Sequence, residues 1–405
     1  MRPANRWDDR ATNLFVAAIY GAAVALVVAY GLSYLFQIPR DGVISGPGAW
    51  DSPRLLMRAA LNVYASQHVT LVSSGGPEDM TATITFPLTL WASIPVLALV
   101  LGGFVAGRAR AASGRWGMVA SSFLAACIYV GVLAALCGVI SAKFTSAALP
   151  AIRGTEFNPP DMPFGPSLTG TLGFCSLFAI LFTYLGALLA VRGEPGPAIQ
   201  GKWWACAKAI VAMGLGLQLV VAAGLWVWFS LSPKVRDADN TTNAKVAELL
   251  PTAAGMGYAL VHSAKLSYEA APVDISGDLT LYDGTTSRKG EQATHKPPSR
   301  YALIAAAIGA LMALLSGRLA VKWGSRDGSL PTAIRIAIIQ AAYVAALMAL
   351  CSMGWGMAGQ PLALLEPRYS SCMLFWAAGV FVLSGIGAHW ANRRYAGRLS
   401  GFPAV

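Results

Sequence analysis

Charge is what this 405-residue sequence has least of: Asp, Glu, Lys and Arg make up 12% of it, against 56% hydrophobic residues. An ordinary soluble domain is about 25% charged, so a chain this poor in ions cannot clothe itself for water. Acid is the scarcer sign, with 19 Asp and Glu against 30 Lys and Arg, and none falls inside the long apolar runs. Ion-coupled carriers commonly place ionisable groups within their spans, so that class is disfavoured. All six cysteines lie in or at the edge of apolar runs, which excludes the disulfide framework of a small secreted domain. No catalytic or cofactor motif stands out, and neither a cofactor nor a metal is expected.

What the chain has in abundance is apolar length, with a mean hydropathy of +0.55. About 20 apolar residues are needed to cross roughly 30 Å of hydrocarbon. Runs that qualify lie near Leu14–Ile38, Pro87–Gly107, Trp116–Ala142, Leu168–Val191, Trp203–Leu231, Tyr301–Val321, Ala333–Gly356 and Cys372–Trp390. Continuous runs of this kind fit helices rather than the short alternating strands of a barrel. The expected fold is therefore all-α and polytopic, with eight transmembrane helices. The first run does not read as a cleavable signal peptide, because its apolar core is too long, Asp8 and Asp9 precede it, and no small-residue cleavage site follows.

Orientation follows from where the bases lie. With the N-terminus inside, the inner segments collect 15 Lys and Arg against four acids, and the outer segments 14 against 15. Essentially the whole formal charge of +11 then sits on one side, so it reflects topology rather than affinity for nucleic acid. Both termini are expected in the cytoplasm, and the Ala- and Arg-rich composition suggests a bacterial inner membrane.

The sequence also repeats itself. Leu26–Leu32 matches Leu219–Leu225, and the stretch from Leu55 to His68 matches that from Leu249 to His262. Gly107-Arg108 matches Gly317-Arg318, Tyr129 and Cys137 match Tyr343 and Cys351, and Cys175-x-Leu177-Phe178 matches Cys372-x-Leu374-Phe375. Each copy would hold four crossings. That even number makes the copies parallel, related by a pseudo-two-fold axis along the membrane normal. The expected division is 1–198 and 199–405, each a four-helix repeat.

Each copy should carry an extra outer helix, interfacial or re-entrant, near Asp51–Gly75 and Ala244–Ser267, the second broken at Pro251. Short alternating stretches, Thr81–Phe86 and Asp278–Tyr282, could pair as a small outer strand. The hydrophilic tract Gly284–Pro298 reads as a loop tip.

Candidate site residues come from the repeat. Tyr64 and His68, like Tyr258 and His262, stand four residues apart on one helix face. They would form a ligand site if the pseudo-axis joined them, although amphipathic residues of this kind more often rest at a membrane interface. Two histidines alone make a poor metal cage. Gln218 and Gln340 are amides within spans, suited to bonding between helices. Cys137 with Cys175, and Cys351 with Cys372, would be the thiol pairs of a redox protein, although buried thiols usually act as small apolar residues. The small-residue faces Ala17-xxx-Gly21-xxx-Ala25 and Ala305-xxx-Gly309-xxx-Ala313 favour close helix packing. Taken together, these features favour a non-enzymatic membrane protein, a scaffold or accessory subunit with the bilayer and a membrane-protein partner as its neighbours. A passive carrier or channel comes next, and a thiol redox protein after it.

Overall fold

The computed structural model describes residues 6–35, 50–51, 55–74, 81–85, 92–110, 114–144, 163–190, 198–231, 240–271, 274–290, 292–298, 302–357, 360–370 and 372–399. The helices are α1 (Arg6–Leu35), α2 (Leu55–Ser66), α3 (Ser93–Ala109), α4 (Gly114–Leu136), α5 (Leu168–Ala190), α6 (Ala198–Leu231), α7 (Asn240–Val261), α8 (Ala302–Lys322), α9 (Ser329–Leu350) and α10 (Cys372–Leu399). A π-helical turn, Thr171–Cys175, interrupts α5. Seven of them, α1, α4, α5, α6, α8, α9 and α10, are long and apolar enough to cross a membrane. The run from Pro87 is the exception. Its helix α3 has 17 residues, about 25 Å at 1.5 Å per residue, and residues 87–91 lie outside the described set.

An all-α chain is not what forms. Among the described residues there are also strands, all paired antiparallel: β1 (Trp50–Asp51), β2 (Leu71–Ser74), β3 (Thr81–Thr85), β4 (Ala142–Phe144), β5 (Pro163–Pro166), β6 (Lys265–Ala270), β7 (Ile275–Leu279), β8 (Thr285–Lys289), β9 (Gln292–Lys296), β10 (Met353–Met357) and β11 (Gln360–Arg368). The tract Gly284–Pro298 is thus a hairpin rather than a loop tip. Its Thr-rich strands pair from Thr285↔Lys296 to Lys289↔Gln292, and Gly290 begins the turn at φ +58, a conformation that costs glycine little.

The chain divides into two compact units. Unit 1 holds 1–194, 233–249 and 353–361. In it α1 packs on α3 and α4, and α5 packs on the same two helices. Small residues permit this closeness: a β-carbon on Gly21 would stand 2.7 Å from the Gly102 carbonyl oxygen, and one on Gly103 would overlap the carbonyl oxygen of Thr183. Strand β2 lies between β3 and β5, and β10 pairs with β3. Helix α2 is packed inside unit 1, since Ala59 to Ala65 are buried and Tyr64 is fully so. It is apolar because it is core.

Unit 2 holds 195–232, 250–352 and 362–405. Here α8 and α9 both pack on α6 and α10. A β-carbon on Gly317 would overlap the Ser384 carbonyl oxygen, and one on Gly387 that of Leu314. Strand β6 lies between β7 and β11, and β8 and β9 extend the sheet beyond β7. Helix α7 runs unbroken through Pro251, where the sequence suggested an interruption.

Candidate functional site

Each unit buries a polar cluster at the C-terminal end of one helix, α2 in unit 1 and α7 in unit 2. In unit 1 the helix α2 stops where His68 takes a left-handed conformation, φ +63, and the Val69 amide turns back to the Tyr64 carbonyl at 3.2 Å. Tyr64 Oη donates to the Leu133 carbonyl at 2.6 Å. Gln67 Nε2 donates both to the Val63 carbonyl one turn back (3.0 Å) and to Tyr129 Oη (3.1 Å). The His68 ring meets the edge of Phe174 at 4.8 Å, within the π turn. Tyr30 Oη and Gln67 Oε1 are buried without a hydrogen-bond partner among the described residues.

In unit 2 the corresponding turn comes one residue later than the Tyr and His matches imply. The left-handed residue after α7 is Ser263, φ +65, and the Ala264 amide returns to Ala259 at 2.9 Å. His262 therefore occupies the place of Gln67, not of His68. The side chains behave accordingly: His262 Nδ1 bonds the Tyr258 carbonyl one turn back at 2.8 Å, as Gln67 bonds Val63. Gln340 Nε2 donates to Tyr258 Oη (2.6 Å) and to His262 Nε2 (2.8 Å). With Nε2 accepting, the imidazole proton is assigned to Nδ1. The Tyr258 ring stacks on His262 at 4.3 Å and meets the edge of Tyr343 at 5.5 Å, and Tyr343 Oη accepts from Gln218 Nε2 at 3.0 Å. Burial lowers the His262 pKa to about 4, against the opposing pull of the Tyr258 carbonyl. This imidazole is neutral at pH 7.

Four of the six candidate ligand residues, Tyr258, His262, Gln218 and Gln340, thus join in one network inside unit 2, while Tyr64 and His68 belong to unit 1. All four Tyr and His side chains are 5% exposed or less. Such burial does not suit anchors resting among lipid headgroups. The bonds from Tyr64 to Leu133, from Gln67 to Tyr129 and from Gln340 to Tyr258 and His262 each join separate helices or their ends, so the arrangement braces helices against one another.

None of the six cysteines is joined in a disulfide. Cys137 Sγ bonds Thr171 Oγ1 at 3.2 Å, and Cys372 Sγ bonds both carboxylate oxygens of Asp283 at 3.4 Å. Cys175 and Cys351 are buried. Lys208 is exposed, with its ammonium 5.4 Å from the Trp204 ring. That suits a stem lying along apolar surface with a solvated head.

One polar feature of the unit 2 sheet is absent from the sequence reading. Strands β6, β7, β8, β9 and β11 curve around a recess of about 400 Å³, lined by Ser267, Asp278, Thr286, Arg288, His295 and Arg368 among others. Side chains in register across the sheet shape it. Tyr268 and Ser287 both pair with Gly277, and Ser287 pairs with Thr294. The Tyr268 hydroxyl lies where a β-carbon on Gly277 would be. Asp278 is bonded by Lys265 (2.6 Å) and Ser267 (2.7 Å). Burial pushes its carboxyl pKa up, but these two partners outweigh that and leave it below the usual range. The signal in the sequence was the Thr, Ser and charged alternation of 285–296, which suits a strand exposed on both faces.

No group of three or more His, Cys, Asp or Glu placed to hold a metal occurs among the described residues. Comparison with protein families, with curated proteins and with solved structures finds no match.

Proposed function

We propose that the chain is a non-enzymatic integral membrane protein, a scaffold or accessory subunit, whose helices hold the unit 2 sheet outside the bilayer for a partner protein. The observation that carries this reading is the contrast between the two kinds of polar group. Within the helices of unit 2 the polar side chains are spent on each other, whereas β9 is exposed along its whole length and ends the sheet at the rim of a polar recess. Exposed edge strands are templates for pairing unless blunted by charge, and a partner strand is one way to complete them.

The same proposal includes eight crossings, with α3 as the eighth, in two parallel repeats that keep both termini in the cytoplasm of a cell with an inner membrane. Register supports the repeat. Leu71 pairs with Ile84 and Pro166, and Leu266 pairs with Leu279 and Pro367. Leu71 and Ile84 are as far apart in sequence as Leu266 and Leu279, and Leu71 and Leu266 follow the left-handed residues His68 and Ser263 at the same distance. The close approach of Gly107 to Ala187 likewise corresponds to that of Gly317 to Ser384 at the matched positions.

A passive carrier is the second reading, and what favours it is the unsatisfied pair Tyr30 Oη and Gln67 Oε1 in unit 1. Purification in mild detergent separates the two. The scaffold reading expects a stoichiometric protein partner that is lost when Ser287→Trp fills the recess and kept when exposed Arg393 is changed to Gln. A bound small molecule with no protein partner, unaffected by Ser287→Trp, would favour the carrier instead.

A further inference from the structure

A second cavity, of about 480 Å³, opens between α8 and α10 in unit 2. Its walls are Leu315, Leu319 and Ala391 on the apolar side, and Arg318, Lys322, Arg394 and Tyr395 on the polar side. Both helices bring their C-terminal ends here, so the cavity sits where two apolar spans give way to bases. Arg326 adds a fourth base, its guanidinium 4.6 Å from the centre of the Tyr395 ring. The neighbouring acid is already committed: Asp327 is held by Arg335 at 2.6 Å and Lys202 at 3.4 Å. Among the described residues Arg318, Lys322 and Arg394 have no acidic partner.

We infer that this cavity binds one anionic phospholipid, with its phosphate among Arg318, Lys322 and Arg394 and an acyl chain along Leu315 and Leu319. Charge and apolarity select the occupant together. A free anion has no use for the leucine wall, and a zwitterionic lipid gains less from three uncompensated bases, each of which is drawn to an anionic headgroup. Basic pockets between spans on the cytoplasmic side are suited to such headgroups. A nucleic acid would meet a floor with no aromatic platform for its bases. The Tyr395 ring is already covered by Arg326.

The test uses the full chain in nanodiscs of phosphatidylcholine with or without phosphatidylglycerol, followed by native mass spectrometry of the lipid retained. Wild type should keep one phosphatidylglycerol at least about tenfold over phosphatidylcholine. The triple change Arg318→Gln, Lys322→Gln, Arg394→Gln should abolish that preference, and Arg394→Gln alone should weaken it if the triple variant does not fold. Leu315→Trp, which fills the cavity but keeps every charge, should displace the lipid, while Arg393→Gln, beside the cavity but outside its lining, should not. Three results would overturn the assignment: no preference in wild type, retention in Leu315→Trp, or displacement of the lipid by millimolar inorganic phosphate alone.

Discussion

Acidification from pH 7 to pH 4 should weaken unit 2 through one residue, His262. Its imidazole is 5% exposed, gives its Nδ1 proton to the Tyr258 carbonyl and receives the Gln340 amide at Nε2. Protonation brings a charge into this site and sets two N–H groups against each other. The pKa falls from an ordinary 6.5 to about 4 by burial, and each unit corresponds to 1.36 kcal/mol, so the neutral form is favoured by about 3 kcal/mol. The sign follows from linkage. Between the two values the unfolded chain binds the proton and the folded chain does not, so stability is full above about pH 6.5 and drains away as pH falls towards 4. In thermal unfolding followed by tryptophan fluorescence in detergent, Tm should be level from pH 8 to 6.5 and then fall by about 5 °C or more. The informative variant is His262→Gln, because Gln67 already makes the equivalent bond in unit 1. It should keep the bond to Tyr258 and lose that part of the acid slope. An identical slope in wild type and variant would refute the reasoning.

Two further outcomes are expected. Gly103→Ala and Gly317→Ala each force a β-carbon into a backbone oxygen across the helix contact, an overpacking cost of about 1–3 kcal/mol. Each should lower Tm and the yield of monodisperse protein, whereas Gly216→Ala and Gly224→Ala, which face open space, should be neutral or slightly stabilising. Asp327→Asn should lower Tm at pH 7 by an amount corresponding to about 1 kcal/mol, since it breaks the bonds to Arg335 and Lys202. Arg335 holds the Asp327 pKa down at about 2. The difference between variant and wild type should therefore persist above the ordinary carboxylate value and shrink as pH falls towards 2.

The helices were legible because hydrophobic length is a one-dimensional signal. Seven long apolar helices could be read from run length alone, and the small-residue stripe at Ala17, Gly21 and Ala25 announced a close contact that Gly21 indeed makes with Gly102. The strands were not legible to the same degree. Pro163–Pro166 and Gln360–Arg368 each contain two prolines, which argue against a central strand when read locally. They become strands only because β2 and β6 supply partners far away in sequence. The hairpin β8–β9 is exposed on both faces, so the alternation of apolar and polar residues that marks a half-buried strand is absent from it.

The buried clusters reveal a subtler limit. Identity of letters matched Tyr64 and His68 to Tyr258 and His262, and the match is one residue out of step with the backbone. What each unit requires at the end of α2 or α7 is one residue able to adopt φ near +60, and before it a side chain that can bond the carbonyl one turn back while reaching another polar side chain. His68 and Ser263 meet the first requirement, and Gln67 and His262 the second. Glutamine and histidine share a nitrogen donor at similar reach, so they are interchangeable to the fold while looking unrelated in the sequence. One consequence can be measured directly. If the role rather than the letter is what recurs, Gln67→His should be tolerated in unit 1 and should give that unit an acid-sensitive Tm of its own, whereas His68→Gln should leave the pH profile set by His262 untouched. The reverse pattern would mean that the histidines, not the positions, are the repeated element.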